Sequence, residues 1–174
     1  MTNPLSTILL IEDEETDRFL FGAAFEEFAA DTTLRFVTNG EEAIAYLMGE
    51  VQYADRTAFP YPDLIITDIK MPLKDGFDVL KHLKAHPSWA VIPVVVFTSS
   101  INPAHVHTAY QLGANSYIIK TGSFLELRSQ LKILHDYWVG CQIPAVPTSP
   151  VREHVSRKNP QLSTCSTTPL TSSP

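Results

Sequence analysis

The stretch Ile8-Leu9-Leu10-Ile11-Glu12-Asp13-Glu14-Glu15 passes from four consecutive aliphatic residues to four consecutive acids. A run without alternation reads as a strand buried on both faces, as in a parallel sheet, and here it ends abruptly in charge. Four further segments extend the pattern: Leu34-Arg35-Phe36-Val37, Leu64-Ile65-Ile66, Val94-Val95-Val96-Phe97 and Tyr117-Ile118-Ile119. Helical spacing fills the gaps. Residues 17–29 carry Leu20, Ala24 and Phe28 on one face. Residues 41–48 follow Asn39-Gly40 and place Glu41 and Glu42 in the first turn, where the helix dipole favours acids. Residues 76–85 carry Phe77, Leu80 and Lys84 and are closed by Pro87. Asn102-Pro103 is a cap followed by proline at the first helical position, and Gly113 stops that helix after Leu112. The last helix, residues 123–138, shows Leu127, Leu131, Leu134 and Trp138. Five strand–helix repeats predict an α/β domain: a doubly wound, five-stranded parallel sheet with helices on both faces.

Composition bounds what such a domain does. The chain has 174 residues and a formal charge of −6, which disfavours a nucleic-acid or anionic-membrane surface because nothing neutralises phosphates. No apolar run approaches the ~18–20 residues of a membrane helix, and Met1 to Ser6 lack the pattern of a signal peptide. Cys141 and Cys165 are too few for a disulfide framework, so a soluble, cytoplasmic protein is expected. Half of residues 141–174 are Pro, Ser or Thr, with no apolar period. The expected organisation is a folded domain over 1–140 and a disordered tail over 141–174 in which neither cysteine matters for folding.

Function in doubly wound folds gathers at the carboxyl ends of the strands. The first strand ends in Glu12 to Glu15, with Asp17 just beyond; the third ends in Asp68, the fourth in Thr98-Ser99-Ser100 and the fifth in Lys120. Carboxylates brought together stay ionised only beside a cation, and oxygen ligands suit Mg²⁺. A lysine neutralises an incoming phosphoryl group, a threonine hydroxyl bonds one of its oxygens, and an aspartate beside a metal is a competent nucleophile. Each residue also has a plainer reading: an acidic cluster as a solvated helix start, Asp68 as a turn residue, Lys120 as a surface cation, Tyr117 as a core aromatic. His105 and His107, two apart on a helix, do not face each other, and His82 and His86, four apart, read as surface histidines rather than a metal pair.

Four motifs in order carry a resemblance: Leu10-Ile11-Glu12-Asp13-Glu14, Asp68-Ile69-Lys70-Met71-Pro72-Leu73-Lys74-Asp75-Gly76, Val96-Phe97-Thr98-Ser99 and Gly113-Ala114-Asn115-Ser116-Tyr117-Ile118-Ile119-Lys120. Over about residues 5–138 the chain resembles the receiver domain of two-component response regulators, and within it the small phytochrome-associated regulators. The resemblance implies a flavodoxin-like fold and a signalling protein rather than an enzyme. Asp68 becomes the phosphoacceptor for a sensor histidine kinase, a phytochrome-type photoreceptor being the suggested one. Mg²⁺ is implied on Asp13, Asp68 and the backbone carbonyl of Lys70, with Glu12 acting through water. Thr98 and Lys120 are implied to bind the phosphoryl oxygens, Tyr117 to be the aromatic switch, and Pro72 and Gly76 to shape the loop after Asp68. Lys70 sits where the family tunes phosphoryl lifetime. Thr121 departs from the usual proline, often cis, after the lysine; a cis bond before a non-proline costs ~3–4 kcal/mol, so a different loop is expected.

An aspartyl-phosphate hydrolase is a rival reading, but such enzymes place a second aspartate where this chain has Lys70. A receiver-like module that never takes phosphate is another, and such modules commonly lose one of the acids or the lysine. Apolar residues beyond the core stripe, Phe124, Leu125, Ile133 and Tyr137, point to an interface, and the resemblance suggests a homodimer through residues 102–138. No output domain is expected in the tail, so signalling is through protein contacts.

Overall fold

In a computed structural model, residues 5–146 are described. The strands are β1 (Thr7–Ile11), β2 (Thr33–Val37), β3 (Leu64–Thr67), β4 (Val94–Thr98) and β5 (Ser116–Ile119). The helices are α1 (Glu15–Glu26), α2 (Gly40–Met48), α3 (Gly76–Ala85), α4 (Pro103–Gln111) and α5 (Phe124–Val139), with a 3₁₀ turn at Val51–Tyr53. All strands pair in parallel in the order β2-β1-β3-β4-β5. The chain therefore reverses its winding between β1 and β3, and the crevice of a doubly wound sheet opens at the carboxyl ends of those two strands.

The sheet divides the core in two. Leu9, Ile11, Ile65, Val94 and Val96 face one apolar cluster with Val79, Leu80 and Leu83 of α3. Ile8, Leu10, Leu64, Ile66, Val95 and Phe97 face the other with Phe21 of α1 and Leu127, Leu131 and Leu134 of α5. Successive strand residues point to opposite faces, so a continuous aliphatic run is what a strand covered on both sides requires. The edge strands are less covered: Thr33 and Phe36 of β2 and Ile119 of β5 are exposed.

Helix α1 begins at Glu15 and ends at Glu26, two and three residues earlier than its spacing suggests. Its buried face is Phe21, Ala24 and Phe25; Leu20 and Phe28 are partly buried at its margins. Asn39, Asp75 and Asn102 cap α2, α3 and α4, each accepting a backbone N–H of the first turn. His82 and His86 are spent on Trp89: His86 stacks on its ring at 3.6 Å and His82 tilts against it at 5.7 Å.

Two features lie outside the sequence reading. The connection from α2 to β3 is a packed plug in which Phe59 meets the Tyr46 and Tyr53 rings edge-on. There Arg56 donates to the carbonyls of Tyr46 and Leu47 at the end of α2 while lying over the Tyr61 ring. The second feature corrects the boundary at residue 140. Cys141 packs on the α1/α5 cluster, Ile143 is buried there and Val146 reaches the opposite cluster. The folded part thus runs past the expected end, and Cys141 contributes to packing; residues 147–174 lie outside the described region. Replacing Ile143 by Ala should lower the unfolding free energy by about 2 kcal/mol, the low end for a buried aliphatic because a loop can collapse around the gap. Urea denaturation checks this, and an unchanged midpoint would mean that the segment adds nothing to the core.

Candidate functional site

Strand register assembles the site. Ile11 pairs with Thr67, and the Asp68 N–H donates to the Ile11 carbonyl, so Glu12 and Asp68 emerge side by side. Thr98 pairs with Ile119, and the Lys120 N–H donates to the Thr98 carbonyl, which places Lys120 across from Thr98. The Lys120 Nζ donates to Glu12 Oε2 at 2.6 Å, to Asp17 Oδ2 at 2.7 Å and to Asp68 Oδ2 at 2.7 Å. Asp68 Oδ1 accepts from the Thr98 hydroxyl at 2.6 Å and from the backbone N–H groups of Ile69 and Lys70.

The two oxygens of Asp68 therefore differ. Oδ1 is held by three donors from rigid positions, two of them backbone, whereas Oδ2 meets only an ammonium on a flexible stem. Glu12 and Thr98 are fully buried and Asp68 nearly so. Asp13 stands apart from the cluster. It lines a groove of about 490 Å³ with Ile69, Lys70, Met71, Pro72, Asp75, Phe77 and His105, and its carboxylate has no partner among the described residues. Arg18 donates to the carbonyls of Glu12 and Asp13 at 2.8 and 2.6 Å, clamping the turn that carries both acids.

Gly76 shapes the loop after Asp68 by close approach: a Cβ there would collide with the Asp68 carbonyl. Pro72 lies exposed in that loop, and Leu73 beside it is in the left-handed region at φ 65°, a conformation that costs a non-glycine residue about 1–2 kcal/mol. No cis peptide bond occurs among the described residues, so Thr121 follows Lys120 through a trans bond. Tyr117 is half-buried, and its hydroxyl donates to the Ser100 carbonyl at 2.8 Å. The Ser100 N–H approaches the Thr98 Oγ1 at 3.3 Å, and the Ser100 hydroxyl pairs with His105 Nδ1 at 2.7 Å. A continuous hydrogen-bonded path thus joins Asp68 to Tyr117 and to α4.

The strand-end reading noted Asp17 but assigned it no role, and Arg18 and the Ser100–His105 pair were missed. A signal for Asp17 was present: it lies one helical turn before buried Phe21, on the inward face of α1.

Chemically, the site is an anionic pocket bridged by one ammonium. Among the described residues no three Asp, Glu, His or Cys side chains already stand at metal-binding spacing. Lys120 occupies the space between the acids instead. Four carboxylates (Glu12, Asp13, Asp17, Asp68) are set against one ammonium and one guanidinium (Lys120, Arg18), a surplus of two negative charges when all are ionised. Hard oxygen donors with that surplus, one of them an unpartnered carboxylate, fit a divalent cation.

The chain belongs to the family of response regulator receiver domains, whose model matches residues 8–132. Response regulator Rcp1 of Synechocystis sp. is 33% identical over 138 residues, covering 79% of this chain and 92% of Rcp1. The crystal structure of the phosphorylated cyanobacterial phytochrome response regulator RcpA superposes with a TM-score of 0.75 at 34% identity, covering 80% of this chain and 99% of that one. The Mn(2+)-bound form of Rcp1 superposes at 0.73 with 32% identity and the same coverage. The expected family and five-stranded, flavodoxin-like parallel fold are thereby confirmed.

Burial pushes the Glu12 carboxyl from its ordinary 4.5 up to about 7, although the Lys120 ammonium pulls it down. Burial also disfavours the ammonium, but hydrogen bonds to Asp17, Asp68 and Glu12 outweigh that and hold Lys120 above the ordinary lysine range. A carboxyl raised in the folded state adds stability below 4.5 that is lost as the pH rises through about 7. The unfolding free energy of the wild type minus that of Glu12→Gln, measured in urea with a chelator, should therefore fall on the order of 2 kcal/mol between pH 5 and pH 8. A difference that stays flat would mean that Glu12 is not desolvated.

Proposed function

We propose that this response regulator accepts a phosphoryl group on Asp68 from a sensor histidine kinase of the phytochrome type and signals through phosphorylation-dependent protein contacts. The asymmetry of the Asp68 carboxylate carries this reading. Oδ1 is fixed by Thr98 and two backbone N–H groups, which orients the carboxylate and leaves Oδ2 as the attacking oxygen. Lys120, already bonded to Oδ2, shifts one N–H to a phosphoryl oxygen as it arrives, and the Thr98 hydroxyl reaches another by giving up its bond to Oδ1, which the two backbone N–H groups still hold. Asp13, Asp68 and the Lys70 carbonyl would hold Mg²⁺, with Glu12 behind them. The ion supplies charge neutralisation for the transferring group. The hard donor set and its charge surplus support this assignment.

Movement of Thr98 toward the phosphate would strip Ser100 of its contact with Oγ1 and loosen the carbonyl that holds Tyr117. The face that Tyr117 borders is apolar. Between α4, β5 and α5 a groove of about 430 Å³ is lined by Tyr110, Ser116, Tyr117, Ile118, Gln130, Ile133, Leu134 and Tyr137. Ile133 and Tyr137 are largely exposed there and Leu125 of α5 is exposed as well, while Phe124 of the expected interface set packs inward instead. A homodimer through residues 102–138 is the use we assign to this face. The acidic surface speaks against nucleic acid as a partner. No helix among the described residues is long and apolar enough to cross a membrane, and a cytoplasmic exchange with the kinase is the setting proposed.

Incubation with a small phosphodonor and Mg²⁺ should add one phosphoryl mass to the wild type and none to Asp68→Asn, measured as intact mass. No gain on the wild type, or an equal gain on the variant, would move the acceptor elsewhere. Sedimentation across a concentration series should show self-association that strengthens on phosphorylation and is lost in Tyr137→Ala, whereas a monomer under every condition removes the dimer.

A further inference from the structure

We propose that Asp17 is a positioning residue for phosphoryl transfer, holding one N–H of the Lys120 ammonium so that another stays aimed at Oδ2 of Asp68. The inference rests on Asp68 being the phosphoacceptor. An ammonium has three N–H donors and no acceptor. The Lys120 Nζ meets three carboxylate oxygens at 2.6, 2.7 and 2.7 Å, so every donor has a partner. Glu12 comes from the end of β1, Asp68 from the end of β3 and Asp17 from the first turn of α1. Asp17 is the most exposed of the three, its side chain one third accessible against 1% and 9% for Glu12 and Asp68. It therefore closes the solvent side, toward which a flexible lysine would otherwise swing.

The start of α1 is not a frayed end. Arg18 ties it to the carbonyls of Glu12 and Asp13, and one turn below Asp17 the Phe21 ring packs edge-on against Phe97 of β4 at 5.1 Å. Asp17 is thus presented from a rigid support. In the transfer, a bond forms between Asp68 Oδ2 and phosphorus as the bond from phosphorus to the donor atom breaks, the imidazole nitrogen of a kinase phosphohistidine or the acyl oxygen of acetyl phosphate, and the leaving group departs with that electron pair. Lys120 moves no proton; one N–H passes from Oδ2 to a phosphoryl oxygen while Glu12 and Asp17 keep the other two.

The test follows phosphorylation of the full chain by acetyl phosphate with Mg²⁺ over a range of donor concentrations, with acetate as the leaving group. Asp17→Ala should lower the maximal rate by about tenfold and leave the half-saturating donor concentration within twofold. Asp17→Asn, whose amide oxygen still accepts from Nζ, should recover to within threefold of the wild type. A maximal rate for Asp17→Ala at or above that of the wild type would overturn the proposal, and so would Asp17→Asn being as slow as Asp17→Ala. A change confined to half-saturation would overturn it as well. If Asp17→Ala fails to fold, as judged by urea denaturation, Asp17→Ser, too short to reach Nζ, takes its place with the same expectation. A wild type that gains no phosphoryl group at all would instead bring down the reading of Asp68 itself.

Discussion

One ammonium group holds the functional end of this protein together. Lys120 bridges three carboxylates that three different elements deliver, and two of the three are almost entirely removed from water. Carboxylates crowded in this way repel one another, and the cost of desolvating them is offset only by a cation of suitable geometry. Burial pushes the Glu12 carboxyl up, toward its neutral form, in spite of the Lys120 ammonium. With all four acids ionised the pocket keeps a surplus of two negative charges, which suits a divalent ion.

Around that ion pair the fold supplies rigidity. Strand register sets which residues meet, the Arg18 clamp fixes the turn that carries the acids, and Gly76 lets the chain pass against the Asp68 carbonyl. The hydrogen-bonded path from Asp68 through Thr98 and Ser100 to Tyr117 and His105 leads from the charged pocket to the apolar groove between α4 and α5. Its bond from Ser100 to Thr98, at 3.3 Å, is the long one.

Much of this was legible in the residues. Aliphatic runs without alternation, such as Ile8 to Ile11, announced strands covered on both faces, and helix starts were written in Asn39 and Asn102. Asp68, Thr98 and Lys120 could be placed at one rim because Thr98 ends a strand and the other two directly follow one. The ends of α1 were less legible, since Phe28 continues the apolar spacing after the helix has stopped and packs against His135 from the following turn. The segment after residue 140 misled for a similar reason. Its Pro-rich composition suits disorder, yet Ile143 needs only a local apolar surface to be buried.

The sequence by itself determined the fold class and which residues stand at the strand ends, because period and strand-end position are local properties of the chain. Only the tertiary structure decided how those groups are used. That Lys120 rather than a metal-ready cluster joins the acids, that Asp17 shares it, and that Asp13 stands free on the groove wall depend on the distances between elements far apart in sequence. Those distances follow from register and helix packing, to which no single segment holds the key. A carboxylate has the same letter in every environment, and what it does is set by the charges that folding brings within 3 Å of it.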